Sequence, residues 1–443
     1  MKKLFYLMTI LAVFAACHEG EDPDLYEKEE KTLYDRTVLV YISGENNLSS
    51  FISSELRELR EGSKGIGNNA LVVYVDDANS QHRPYIMRIH DGAVSDSTVL
   101  EADQYSSDPA MLKRVLDYTS TNYQAKEYGL VLWGHSSGWI IEDSVASNAT
   151  RTAKRAYGVD TGNNAYSATG KWINIYTLNK TIQDWGHLKF IFADCCQFQC
   201  IETAYELRNA TDYIIASPSE VPGNGAPYST VTKGFFDTSD YFYQQIVDSY
   251  FAQSVTIRYK VGNFSFVYEC RTPFSVIKTA EMEQLATATS TILHTWLPME
   301  DNAPWPELLR EKLIYYRGNI TDQKNNIMYD MNDLMLRYAP AEAYLTWKAA
   351  FDRAVIYKVN AQSGWMTDSQ IMPYVFGKDN YGKDAEVILT NARYGGVSMF
   401  IPQNRPSSRY EPHTIGNVHY DGHNASIRHT AWYRAACLSE LGW

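Results

Sequence analysis

The sequence predicts an α/β fold built on a mostly parallel sheet flanked by helices. Two observations carry this expectation. Four short, continuous apolar runs, at residues 37–42, 70–75, 128–133 and 188–193, have the length and composition of strands buried on both faces. Segments with helical spacing separate them, which is the alternation of an α/β chain.

The first run reads Thr-Val-Leu-Val-Tyr-Ile, and residues 49–61 follow with Phe51, Ile52, Leu56 and Leu59 on one helical face. The second run ends in Asp76-Asp77. Asp108-Pro109 then opens a helix that turns Leu112, Val115, Leu116 and Tyr118 inward. Asp supplies a side-chain acceptor for the first turn, and Pro suits a position that needs no donor. After the third run, residues 143–170 are rich in Ser, Asn, Thr, Ala and Gly, with Arg151, Lys154 and Arg155 clustered, and read as an exposed loop. Beyond the fourth run, residues 201–207 begin a helix and 213–217 form a fifth strand. The pattern shifts after Cys270. Residues 282–297 and 330–338 read as helices, 341–359 as a longer helix, and 394–402 as a strand-like return. This gives an expected domain at 34–270 and a C-terminal α+β region at 271–443 packed on it.

A chain of 443 residues with 45% hydrophobic and 21% charged residues can bury a sizeable core. The formal net charge of −12, without a long basic run, argues against nucleic acid as a partner, because phosphate binding needs clustered cations. Met1-Lys2-Lys3, an apolar stretch to Ala16 and then Cys17 form a secretory signal whose end resembles a bacterial lipobox, with residues 1–17 leading to a lipidated Cys17. Phe14 stands where such motifs prefer an aliphatic residue. Residues 18–33 begin His-Glu-Gly-Glu-Asp and read as an acidic, solvated tether, similar to the export signal of surface lipoproteins. The expected location is extracytoplasmic, with the lipid in the outer membrane or cell surface. Besides Cys17 the chain holds Cys195, Cys196, Cys200, Cys270 and Cys437, an odd number at irregular spacing, which is no disulfide framework. Cys195, Cys196 and Cys200 lack the second Cys/His pair of a zinc site, so no metal site is expected there. Cys200, Cys270 and Cys437 read as small core residues.

Reactive residues of open α/β sheets sit at the carboxyl ends of strands. Two such ends carry chemistry: Gly134-His135-Ser136-Ser137-Gly138-Trp139 after the third run, and Asp194-Cys195-Cys196 after the fourth. Neighbouring strands would let His135 act as base to a thiol of the second segment. Only one of the two adjacent thiols can face it, since side chains alternate at a strand end. The first segment also fits G-x-S-x-G, with Ser136 as nucleophile of a serine hydrolase and His413, His419, His423 or His429 as base. Against that stand a polar loop where a helix is required and the absence of an HGGG-type sequence. The four histidines lie in a polar segment and read as surface residues.

From about Arg36 to the C-terminus the chain resembles the clostripain-type peptidases, the C11 group of caspase-like cysteine peptidases. Five blocks come in the family order. They are 37–41 with Glu45-Asn46-Asn47-Leu48, then Leu132 to Trp139, then Asp194-Cys195-Cys196 with the helix after it, then Ser219-Glu220-Val221-Pro222-Gly223-Asn224-Gly225, and finally 396–402. The resemblance implies a caspase-like sheet and a cysteine endopeptidase acting through a thioester. It places His135 as base, Cys196 as nucleophile, and Asp194 as the acid that binds a basic P1 side chain. It puts the oxyanion on the backbone N–H groups of Ser136 and Cys196. Protein or peptide substrates with Arg or Lys at P1 follow. Self-cleavage between the His and Cys blocks occurs in the family, and Lys154 or Arg155 are the basic candidates. No cofactor is required by this chemistry. Calcium dependence occurs in the family, although no EF-hand-like run is present. Three positions depart from the pattern: Ser136 replaces Gly, Cys195 replaces Ala, and Gln197-Phe198 replaces Leu-Met. They leave open a catalytically inactive surface-binding lipoprotein of the same fold.

Overall fold

The computed structural model describes residues 32–140, 145–146, 156–162, 170–261, 264–296, 313–317, 328–360, 364–367, 370–371, 390–401, 413–415, 418–420 and 422–441. Cys17, Arg151, Lys154 and Arg155 lie outside them.

The chain runs β1 (Tyr34–Gly44), α1 (Ile52–Gly62), β2 (Ala70–Asp77), β3 (Tyr85–His90), β4 (Ala93–Val99), α2 (Pro109–Asn122), β5 (Ala125–Trp133), β6 (Val145–Ala146), β7 (Tyr157–Asp160) and β8 (Lys171–Ile173). It continues with α3 (Ile175–Trp185), β9 (Leu188–Asp194), α4 (Ile201–Glu206), β10 (Thr211–Ala216), α5 (Tyr228–Phe235), α6 (Phe242–Phe251), the hairpin β11 (Val255–Val261) and β12 (Phe264–Cys270), β13 (Phe274–Lys278) and α7 (Met282–Trp296). After β14 (Tyr315–Arg317) and β15 (Met328–Asp330) come α8 (Met331–Tyr338), α9 (Ala341–Ala354) and β16 (Val355–Val359). Short strands β17 (Met366–Thr367), β18 (Gln370–Ile371) and β19 (Ser398–Phe400) follow.

One nine-stranded sheet, ordered β16-β13-β10-β9-β5-β1-β2-β3-β4, organises the molecule. Its five central strands, β10 to β2, are parallel. The outer pairs are antiparallel on both sides. Alternating side chains feed two apolar layers. Leu39, Tyr41, Val72, Leu130 and Leu132 pack with Leu112 and Leu116 of α2 and Leu178 and Ile182 of α3. Val38, Val40, Leu71, Val73, Val131, Phe190 and Phe192 pack with Leu59 of α1, Phe235 of α5 and Ile246 of α6. All four apolar runs are therefore buried parallel strands, as their composition requires. Asp108 caps α2, its carboxylate accepting from the Ala110 N–H at 2.9 Å, and Asp330 caps α8.

Four local expectations are corrected. The segment 143–170 is not all exposed loop, because Ala156 to Asp160 is buried and forms β7. Its polar residues are satisfied internally: the Tyr157 hydroxyl lies 2.9 Å from the Tyr41 carbonyl oxygen and 3.0 Å from that of Trp133. The helix at 341–359 stops at Ala354. The β-branched residues Val355, Ile356 and Val359 continue as β16, which pairs with β13 at the sheet edge. His423 is buried rather than exposed. Gly422, at φ 71°, starts a short turn of helix that sets the imidazole against Trp139 and Phe400. Cys437 is half-buried, whereas Cys200 and Cys270 are core residues. Residues Tyr34–Trp443 form one compact unit. The segment beyond Cys270 supplies β13 and β16 to the central sheet as well as packing on it. Among the described residues no helix is long and apolar enough to cross a membrane.

Candidate active site

β5 and β9 are neighbours, and Trp133 stands opposite Asp194 at their carboxyl ends. The chain leaves the sheet at both points, so His135 and Cys196 emerge side by side. A cleft of about 290 Å³ opens there, lined by His135, Ser136, Asp194, Cys196, Val221 and Gly225 among others.

The loop carrying His135 is held by β7. The Gly158 N–H donates to the His135 carbonyl at 2.9 Å, and the Ser137 N–H donates to that of Ala156 at 3.1 Å. His135 Nε2 lies 2.6 Å from Asn47 Oδ1. A carbonyl oxygen only accepts, so Nε2 carries the proton and Nδ1 is left as the basic nitrogen. Burial pushes the imidazole pKa below its ordinary value, which keeps the ring neutral at neutral pH and suits a base.

Both cysteines line the cleft, but they differ in burial. Cys195 is buried in the apolar layer beneath the sheet end, and burial drives its pKa far up, so it stays an inert thiol. Cys196 faces the cleft, where the Val221 N–H reaches its Sγ at 3.4 Å. Gln197 turns the chain with φ 57°, and its N–H donates to the Ser219 carbonyl at 2.8 Å, locking the thiol segment to the Glu220-Val221 wall.

Ser136 has no positive φ, so the replacement of Gly costs no backbone strain. Its hydroxyl donates to the Ala156 carbonyl at 2.7 Å and accepts from the Gly138 N–H at 3.1 Å. That is a loop staple, and Trp139 and Ile140, the described residues directly beyond Gly138, are not helical. Gly138 is the position that does need its glycine. It sits at φ 65°, and a Cβ would lie 2.7 Å from the Gln197 carbonyl oxygen and 3.0 Å from Cys200 Sγ. Gly138→Ala is expected to cost ~1–3 kcal/mol and to push the histidine loop away from the thiol loop. Thermal unfolding together with kcat/KM checks this: both fall, and an unchanged kcat/KM would refute the contact.

Asp194 lies at the floor of the cleft and is 3% exposed. Its Oδ2 accepts from the Ala226 N–H at 2.8 Å and the Tyr228 hydroxyl at 2.9 Å. Tyr250 adds a longer contact of 3.4 Å to Oδ1. Burial raises its pKa to about 6, and the three donors oppose that rise. Sequence reasoning did not find Glu55. Burial, and next the charge of Asp194, raise its carboxyl to about 9. Gly225 leaves a notch in which Asp194 Oδ2, Trp133 Nε1 and Glu55 Oε2 converge, within 2.8, 3.0 and 3.4 Å of where a Cβ would stand. The signal was present in the sequence: Glu55 falls between Ile52 and Leu59 on the inward stripe of α1, a charged residue on an apolar face. Asn47 was visible only as part of a motif, without a role.

The rest of the chain braces this site. Asp330 Oδ2 accepts from the N–H groups of Gly395 and Gly396 at 2.8 and 3.0 Å. Glu202 Oε1 accepts from the Phe400 N–H at 2.7 Å, and the Ser398 N–H donates to the Gln199 carbonyl at 3.1 Å. The late Gly-Val-Ser-Met-Phe block is thus tied directly behind the thiol loop.

This architecture has known counterparts. The Peptidase_C11 model, described as the clostripain family, matches residues 40–423. Clostripain of Hathewaya histolytica is 22% identical over 221 residues, covering 44% of this chain and 41% of clostripain, so the match spans less than half of that relative's length. A secreted C11 cysteine protease from Bacteroides thetaiotaomicron, solved with an irreversible peptide inhibitor, is 27% identical. The similarity covers 91% of this chain and 99% of that one, with a TM-score of 0.66. An inactive zymogen C11 protease from Parabacteroides distasonis has the same fold, with 24% identity, the same coverage and a TM-score of 0.62. With both reactive strand ends inside a family match that spans most of its length, this chain belongs to the clostripain family, the C11 cysteine peptidases.

Proposed function

We propose that the protein is a secreted or surface cysteine endopeptidase that cleaves after Arg or Lys through a Cys196–His135 dyad. The observation that carries this reading is the single cleft that holds His135, Cys196 and, at its floor, the buried Asp194. Nδ1 of His135 takes the proton from Cys196 Sγ, and the sulfur attacks the scissile carbonyl carbon. The oxyanion is held by the N–H groups of Ser136 and Cys196. The imidazolium then protonates the leaving amine, the C–N bond breaks, and a thioester remains. Water, deprotonated by His135, adds to the thioester and releases the acid and the thiol. Asp194 binds the P1 cation through charge-assisted hydrogen bonds. Hydrolysis of Arg- and Lys-amide substrates by wild type, Cys196→Ala, Cys195→Ala and Ser136→Ala tests the reading. Loss confined to Ser136→Ala would replace the thiol by serine. No hydrolysis by any form, pre-cleaved protein included, would make this a binding lipoprotein.

The pH dependence follows from two groups. Asp194 must be ionised and His135 neutral, and both are lost to protonation as pH falls. Asp194 titrates near pH 6, and His135 titrates below its ordinary value. For a basic P1 substrate kcat/KM is expected to be level above about pH 7, and to fall roughly tenfold per unit below about pH 6. A kcat/KM profile checks this, and a profile level from pH 7 to 4 would contradict it.

Maturation by cleavage after Lys154 or Arg155, in the chain between the two blocks, completes the proposal, with Cys17 lipidated to hold the enzyme at the outer membrane. Mass spectrometry is expected to find two fragments meeting at 154–156 and a diacylglyceryl mass on Cys17. A fully active intact chain would remove the cleavage step.

A further inference from the structure

The floor of the cleft adjoins a second carboxyl that the proposed mechanism does not use. Glu55 lies in α1 between Ile52 and Leu59 and is 2% exposed. Its Oε2 stands 3.4 Å from the place where a Gly225 Cβ would lie, and Asp194 Oδ2 stands 2.8 Å from the same place. The two carboxyls are therefore no farther apart than those two distances laid end to end. Gly225 is itself part of the cleft lining. A side chain at that position would fill the space against both acids, and glycine keeps it open. The two acids are supported differently. Asp194 Oδ2 accepts from the Ala226 N–H at 2.8 Å and the Tyr228 hydroxyl at 2.9 Å. Among the described residues no such donor governs Glu55, whose proton affinity is set by burial, by the charges of Asp194 and Glu58, and by the opposing charge of Arg57. A buried acid without a donor is costly, so its place beside Asp194 calls for a partner that the free protein lacks.

We propose that Glu55 is a second acidic group of the P1 site, and that with Asp194 it selects the guanidinium of Arg over the ammonium of Lys. The inference rests on the reading of Asp194 as the P1 acid and adds to it the choice between the two basic side chains. A guanidinium carries five N–H groups in one plane, so it can donate to Asp194 from one edge and to Glu55 from another. An ammonium is a single point charge on a flexible stem, and Asp194 with water satisfies it. The free site carries one charge rather than two, because burial and the charge of Asp194 raise the Glu55 carboxyl to about 9. A guanidinium brought beside it favours the ionised form. The O–H proton then leaves to solvent, and the cation stays between two carboxylates. Tyr228 of α5 also feels Glu55, but burial and the charges of Asp194 and Glu55 drive its hydroxyl pKa far up, so it keeps its proton. Asp194 is already ionised above about pH 6. A proton released on binding at higher pH therefore comes from Glu55.

The test compares matched peptide amides with Arg, Lys or a neutral residue at P1, hydrolysed by wild type, Glu55→Gln and Asp194→Asn. Gln keeps the size of the protonated acid and cannot ionise. Wild type is expected to favour Arg over Lys in kcat/KM. Glu55→Gln should lower kcat/KM for Arg about tenfold or more, leave Lys within about threefold, and so remove the preference. Asp194→Asn should lose both basic substrates. An Arg-to-Lys ratio in Glu55→Gln equal to that of wild type would overturn the role of Glu55 while leaving Asp194 as the P1 acid. A uniform fall over all three substrates would overturn it by making Glu55 a residue of the fold. Full activity of Asp194→Asn on both basic substrates would instead overturn the reading of Asp194, and this inference with it. Proton release gives a readout that does not depend on the Glu55 variant folding. Cys196→Ala protein is titrated calorimetrically at pH 8 with the uncleaved Arg and Lys peptides in two buffers of different ionisation enthalpy. The Arg peptide should release roughly half a proton or more, and the Lys peptide distinctly less. Equal release with both peptides, or none with either, would overturn the two-acid site.

Discussion

Cys196→Ala is expected to lower kcat/KM for basic amide substrates by ~10⁴-fold or more, whereas Cys195→Ala keeps it within about threefold of wild type. The two residues are adjacent and chemically identical, so only their surroundings separate them. Cys196 meets the Val221 N–H in a cleft it shares with His135. Cys195 is buried among apolar side chains with its thiol pKa driven far up. On the proposed mechanism, removing Cys196 takes away the group that forms the acyl bond. Removing Cys195 leaves a small void, costing ~1 kcal/mol of stability. Alkylation by iodoacetamide at neutral pH, followed by peptide mapping, gives a second readout. Modification is expected at Cys196 and not at Cys195. Reversal of either result would put the nucleophile at the wrong thiol.

Asp194→Asn is the second large effect, and it separates activity from stability. The loss in kcat/KM for Arg and Lys substrates is expected to be ~10²- to 10⁴-fold, the scale of breaking a buried charge pair. Most of it should be absent for a neutral P1 side chain. Stability should move the other way. The carboxyl has a folded pKa of about 6 against 3.8 in a model state. A raised pKa in the folded state means that the ionised form is favoured on unfolding. The cost to folding is therefore present above about pH 6 and vanishes below about pH 4, and it amounts to ~3 kcal/mol at neutral pH. Asn removes the charge and still accepts from the Ala226 N–H and the Tyr228 hydroxyl. Thermal unfolding at pH 7.5 is expected to show a Tm equal to or above wild type. A variant that is inactive and also much less stable would show that Asp194 serves the fold rather than the substrate. Under the proposed function a P1 cation would supply the counter-charge that the protein itself withholds, which would account for the tolerance of such a site.

Much of the fold was legible because buried parallel strands leave continuous apolar runs. The central strands and α2 are local patterns, and local patterns survive in one dimension. What was misread depends on partners far away in sequence. β7 looked like loop because Tyr157-Gly158-Val159-Asp160 carries few apolar residues, and its burial rests on bonds to Tyr41 and Trp133. β16 looked like a continuing helix because only the edge strand β13 makes it a strand. His423 looked exposed because its aromatic neighbours, Trp139 and Phe400, lie in other parts of the chain.

The sequence by itself determined the reactive residue types and their order: His135 after one apolar run, Asp194, Cys195 and Cys196 after another, in a pattern similar to the clostripain family. Strand ends are chemically marked because polar side chains there interrupt a buried run. The tertiary structure alone decided that the two runs are neighbours and that, of the two thiols, Cys195 is buried in the core while Cys196 is the more exposed. It also decided that Asn47 holds Nε2 of His135 and that Glu55 converges with Asp194 at the Gly225 notch. Each of these is a distance or a direction between segments separated by tens of residues. Such quantities are set by sheet order and burial, which no spacing along the chain encodes.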